Sequence, residues 1–125
     1  MGLCISRTNP SRIREIHKLE TTPIVWITDI KTKEQSLNPT DIKGLLNLIS
    51  AFIEKTENSI IFIEALSYLI DHNDFTSVLH MVQHIRDMVS EKKSYLLLYI
   101  DPMLLEEKQL KQLVQEVDEV RYRAY

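Results

Sequence analysis

Ser59-Ile60-Ile61-Phe62-Ile63-Glu64 carries four consecutive apolar residues, three of them β-branched, that run straight into a carboxylate. A strand with one wet face alternates apolar and polar residues, whereas an unbroken apolar run marks a strand covered on both faces. Before it, Ile42, Leu45, Leu46, Ile49, Phe52 and Ile53 recur at three and four residues, the buried stripe of a helix reaching about Lys55. After it, Val78, Leu79, Val82, Ile85 and Val89 predict a second long helix from about Phe75 to Glu91. A covered strand with a long helix on either side points to a parallel sheet, because parallel neighbours can be joined only by a crossover.

The rest of the chain extends this alternation. Leu3 to Ser6 reads as a short strand feeding the turn-like Arg7-Thr8-Asn9-Pro10, and Pro10 opens a helix to Leu19 with Ile13 and Ile16 facing inward. Ile24 to Thr28 is a β-branched and aromatic strand, again unbroken, and Asp29 to Leu37 is a polar connection. Asn38-Pro39-Thr40-Asp41 reads as a helix start, with a capping residue, a proline in the first turn and a carboxylate at the positive end. Ala65 to His72 predicts a turn or two of helix. Ser94 to Ile100 is the third long apolar strand, Asp101-Pro102 starts a helix through about Val117, and Val120 to Tyr125 alternates like an edge strand. The expectation is a single α/β domain over residues 1–125, a three-layer sandwich with a mostly parallel central sheet and helices on both faces.

Composition excludes several functions. With 15 basic against 18 acidic residues the net charge is −3, which leaves no electrostatic footprint for nucleic acid. No apolar run approaches the ~20 residues of a membrane span and no signal-peptide pattern opens the chain. The single cysteine, Cys4, has no internal disulfide partner, and a reducing cytoplasm is the expected location. Met1-Gly2-Leu3-Cys4-Ile5-Ser6 fits the loose myristoylation signal, but Leu3-Cys4-Ile5 reads better as a buried strand. Only two glycines occur, Gly2 and Gly44. A phosphate loop, a dinucleotide fingerprint and a nucleophile elbow all need clustered glycines for tight turns or close backbone approach.

In an open α/β sheet ligands bind outside the carboxyl ends of the strands. Those ends carry Arg7, Thr28 and Asp29, Glu64, and Asp101. Arg7, Asp29, Glu64 and Asp101 are therefore the candidate ligand-binding residues. Glu64 leads them, since an apolar strand ending in an acid is how nucleotide hydrolases present a metal-ordering or water-activating carboxylate. Asp101 is equally well explained as a helix cap, and no cradle of backbone N–H groups accompanies the acids. His80 and His84 lie one turn apart on one helix face and form the candidate metal pair. They lack the intervening glutamate of a metalloprotease helix, and polar residues belong on that face in any case.

Several stretches resemble successive motifs of the domain of unknown function family 835, found mostly in archaea. They are Leu3-Cys4-Ile5-Ser6-Arg7, Pro10, Ile13-Arg14, Thr22-Pro23-Ile24-Val25-Trp26-Ile27-Thr28, Pro39-Thr40-Asp41-Ile42, and above all Ile60 to Ile70. Asn73-Asp74-Phe75, Val78-Leu79, Ile85-Arg86-Asp87 and Asp101-Pro102 continue the order. The resemblance implies a layout similar to the RecA and KaiC group of ATPase cores without a phosphate loop, in proteins that often carry sensory modules such as PAS domains. The family's strand usually ends in Asp-Gly and is followed by Glu-Tyr-Leu. Here those positions read Glu64-Ala65 and Ser67-Tyr68-Leu69, so an acid and a glycine are lost. A strand and helix usually precede the segment matching Gly2-Leu3-Cys4. The expectation is a trimmed copy or a fragment of the family domain, whose first strand has an open edge covered by a second copy or another protein.

Two functions follow as expectations. The first is a non-catalytic regulatory or protein-interaction domain without a cofactor, linked to signal transduction. The second is a degenerate nucleotide-binding domain of the RecA/KaiC type that uses the strand-end carboxylates.

Overall fold

The computed structural model describes residues 1–17 and 21–120. Five parallel strands form one sheet in the order β3-β2-β1-β4-β5: β1 (Gly2–Ser6), β2 (Ile24–Ile27), β3 (Ser36–Leu37), β4 (Ile60–Ile63) and β5 (Tyr95–Leu98). The helices are α1 (Pro10–His17), α2 (Ile42–Lys55), α3 (Leu66–His72), α4 (Phe75–Glu91) and α5 (Glu107–Val114). The domain is an α/β sandwich with a parallel sheet.

The order dictates where the helices lie. From β1 the chain steps outward to β2 and β3, then returns to the far side of β1 and steps through β4 to β5. Right-handed crossovers place α1 on one face and α2 and α4, which travel the opposite way, on the other. The contacts agree, for α1 packs on β2 and α2 packs beside α4. The main core lies on the α2/α4 face, where Leu3, Ile5, Val25, Ile27, Ile61 and Ile63 of the sheet meet Leu45, Ile49 and Ile53 of α2 and Val78, Val82 and Ile85 of α4. Met81 is buried as well, since α4 also contacts α3 and α5.

Some expectations need correction. β1 has no open edge: it is the central strand, paired with β2 and β4. The polar connection 29–37 contains the short strand β3. α2 begins at Ile42 with Asp41 as its cap, while Asn38 instead makes a turn by accepting from the backbone N–H and hydroxyl of Thr40. Asp101-Pro102 opens a single 3-10 turn, Pro102–Leu104, and the α-helix starts later at Glu107 with Glu106 and Gln109 forming a capping box. Ile16 is exposed on α1. Leu19 and the Arg121–Tyr125 part of the alternating C-terminal stretch lie outside the described residues.

Burial departs from the sequence-based expectation on β4 and β5. β2 is buried on both faces, as its sequence predicts, but Ile60 of β4 and Tyr95 and Leu97 of β5 are exposed. Among the described residues α1 packs on β2 on that face, and Ile60, Tyr95 and Leu97 are left uncovered.

Gly44 has a structural reason. Its N–H donates to Asp41 Oδ1 at 2.9 Å, and a Cβ at this position would run into the Asp41 carboxylate. Asp41→Ala is expected to cost about 1 kcal/mol, read as a lower midpoint in urea unfolding with an unchanged slope.

Candidate functional site

The strand order reverses at the β1–β4 pair, so the carboxyl ends of these two strands form the topological switch point, where open α/β sheets bind ligands. Two backbone donors, the N–H groups of Glu64 and Ala65, converge there on the carbonyl of Ile5 at 2.9 and 3.2 Å. This fixes the end of β4 against the end of β1. The Glu64 side chain then folds across the gap. Its Oε2 accepts the Ser6 hydroxyl at 2.9 Å and the backbone N–H of Arg7 at 2.9 Å. Ser6 Oγ in turn accepts the N–H of Thr8 at 3.0 Å, and the Arg7 carbonyl accepts Trp26 Nε1 at 3.1 Å.

A carboxylate therefore occupies the backbone N–H at the end of β1. The physical cause is local, because chain groups leaving a buried strand must find partners, and Glu64 supplies the acceptor for Arg7 N–H. The Arg7 guanidinium does not bind this carboxylate. It lies 4.1 Å from the centre of the Tyr68 ring on α3, a cation–π contact. Tyr68 also stands 4.3 Å from the His72 ring at 54°. Arg7, Tyr68 and His72 thus form an exposed to half-buried row beside Glu64.

The four predicted ligand-binding residues share the carboxyl edge of the sheet, but only Arg7 and Glu64 meet. Asp29 follows β2 and is exposed, whereas Asp101 follows β5 and caps the 3-10 turn through Met103 N–H at 3.0 Å. Three strand intervals separate β2 from β5, about 14 Å. Ser6, Trp26 and Tyr68 belong to the site and were not predicted for it. Ser6 is signalled by a hydroxyl ending an apolar run, and Tyr68 by its spacing of four from Glu64. His80 and His84 are both exposed on α4. Among the described residues no three His, Cys, Asp or Glu side chains are grouped so as to hold a metal ion. Two surface recesses, of about 440 Å³ beside Lys108 and Lys111 and about 530 Å³ beside Asn9 and Arg12, lie away from Glu64.

Cys4 lies on β1 between Ile24 and Phe62 in the sheet register. Burial, and secondarily the charge of Glu64, pushes its thiol up to about 11. It is a poor nucleophile, since the thiolate is the reactive form.

The family model described as "Protein of unknown function (DUF835)" matches residues 1–117. No curated protein matches the chain significantly.

Two measurements probe this site. Glu64→Ala strands the Ser6 and Arg7 donors and is expected to cost about 2–3 kcal/mol, with Glu64→Gln, which keeps an acceptor, costing less. Cys4 of the native protein should alkylate at pH 8 roughly a hundredfold more slowly than a free cysteine, because its thiolate fraction is lower by that factor. The raised value favours the protonated folded form, so this contribution to stability is complete below about pH 9 and is lost as pH rises toward 11.

Proposed function

The chain belongs to the DUF835 family, and for this member we propose a non-catalytic regulatory or protein-interaction role in the cytoplasm, linked to signal transduction. One observation carries the reading. The backbone N–H that a bound anion would take at the switch point is held by Glu64 Oε2 at 2.9 Å. A phosphate arriving there meets a negative carboxylate instead of a cradle of donors, and like charges at such distances repel. The absence of clustered glycines in the sequence supports the same conclusion, since Arg7-Thr8-Asn9 cannot be replaced by a close-approaching loop without them.

The strand order favours a second reading, that of a degenerate nucleotide-binding domain of the RecA type. The switch point is where a nucleotide would sit, and Arg7 stands exposed beside it. In that reading Arg7 would leave Tyr68 for a phosphate, and Glu64 would release Arg7 N–H and order a magnesium ion.

Thermal unfolding with ATP, GTP and cyclic nucleotides, each with magnesium, separates the two. The regulatory reading expects no shift. A ligand at a hundred times its Kd stabilises by ~2.7 kcal/mol, a rise of several degrees for a domain of this size. A dose-dependent rise that Arg7→Ala or Glu64→Gln abolishes would establish the nucleotide reading instead.

A further inference from the structure

Among the described residues β5 is an open edge of the sheet, with β4 as its one strand neighbour. The N–H groups of Tyr95 and Tyr99 donate to the carbonyls of Ser59 and Ile63 at 2.8 and 3.1 Å. The ladder alternates, so the N–H and C=O groups of Leu96 and Leu98 turn away from β4 toward the open side. Natural sheets blunt such edges with charges, proline, bulges or very short strands. The opposite edge follows that rule, since β3 is two residues long. β5 does not: Ser94 to Ile100 contains no charged residue, proline or glycine. Tyr95, Leu97 and Tyr99 are also 69, 56 and 46 % exposed.

The pattern on this edge indicates what covers it. Tyr95-Leu96-Leu97-Leu98-Tyr99 reads the same in both directions, and a two-fold interface must be self-complementary. An antiparallel pairing centred on Leu97 sets Leu96 opposite Leu98 of a second copy. These are the residues whose backbone groups point outward, so the pair exchanges both hydrogen bonds. Leu97 meets its own equivalent, and Tyr95 meets Tyr99 on the exposed face, an aromatic pair of the kind that stabilises sheets. Opposite charges also flank each end of the pairing, because Lys93, in the turn before β5, and Asp101 of the other copy, just past its β5, come to the same end, twice over. Only one Asp101 oxygen is used by the cap, leaving the other for the lysine.

We propose that two copies of this chain join their sheets through antiparallel β5–β5 pairing about Leu97, forming a continuous ten-stranded sheet. The inference is independent of the function proposed above, because either a regulatory or a nucleotide-binding domain pairs equally well through this edge.

Light scattering and sedimentation over micromolar to millimolar concentrations test it, with circular dichroism reporting folding. The native chain is expected at twice its 14.7 kDa mass. Leu97→Lys, which sets two lysines face to face, is expected to be a folded monomer. Lys93→Glu and Asp101→Lys each place like charges at both ends and should weaken the dimer roughly tenfold. An equimolar mixture of these two variants restores both opposite-charge contacts in a mixed dimer, so affinity should return to the native level. A native chain of single mass throughout, a dimer that survives Leu97→Lys, or a mixture no tighter than its components would overturn the proposal. The mixing result stands even if Leu97→Lys fails to fold.

Discussion

The pairing of β1 with β4 is the constraint on which the other elements depend. It joins residues nearly sixty positions apart through Ile60 N–H to the Met1 carbonyl at 3.0 Å and Glu64 N–H to the Ile5 carbonyl at 2.9 Å. The entropy of closing so long a loop grows slowly with length, about 0.6 kcal/mol per doubling, so burial on both sides of β1 outweighs it. Ile5, Ile61 and Ile63 are fully buried at this junction. Once β1 is central, right-handed crossovers leave one arrangement for the helices: α1 on one face, α2 and α4 on the other.

The candidate site is a by-product of the same pairing. Two buried parallel strands ending side by side leave backbone and hydroxyl groups that must be satisfied away from water. Glu64 meets that need by bridging Ser6 and Arg7. In a sheet of this order the same spot serves ligands, so what distinguishes one domain from another is which group takes the N–H at the end of β1. Here it is a carboxylate of the chain itself, and the Arg7 guanidinium beside it rests on Tyr68.

The long periodic segments were legible because they obey one rule over many residues. α2 and α4 lie where the apolar spacing puts them, and β2 is buried on both faces as its unbroken run requires. Short elements escaped. β3 is two residues within a polar segment and forms only because Trp26 N–H and Thr28 N–H need carbonyls on that side, at Gln35 and Leu37. The low glycine count has a counterpart in the backbone: Asn58 and Lys93, which precede β4 and β5, hold left-handed turns at φ 54 without glycine. Asparagine tolerates that conformation through its short polar side chain, whereas lysine does so at some cost. At the site, Glu64 and Arg7 were identifiable as strand ends, but their partners were not. Ser6 and Tyr68 carry only a local signal, a hydroxyl ending an apolar run and a spacing of four from Glu64, and neither that nor the position of Trp26 says which group each will meet.

The sequence by itself determined the class of the molecule: a parallel α/β domain without a glycine-built phosphate loop. These properties follow from local periodicity and from residue types that a given backbone shape demands. Only the tertiary structure decided the order of the strands, and with it that β1 is central, that β5 is an apolar edge strand among the described residues, and that Glu64 bridges Ser6 and Arg7. An apolar run marks a strand but not what covers it: β2 is buried on both faces, whereas Tyr95 and Leu97 of β5 are exposed. Strand order depends on which pairings bury the most surface together, a property of the whole chain that no single segment carries.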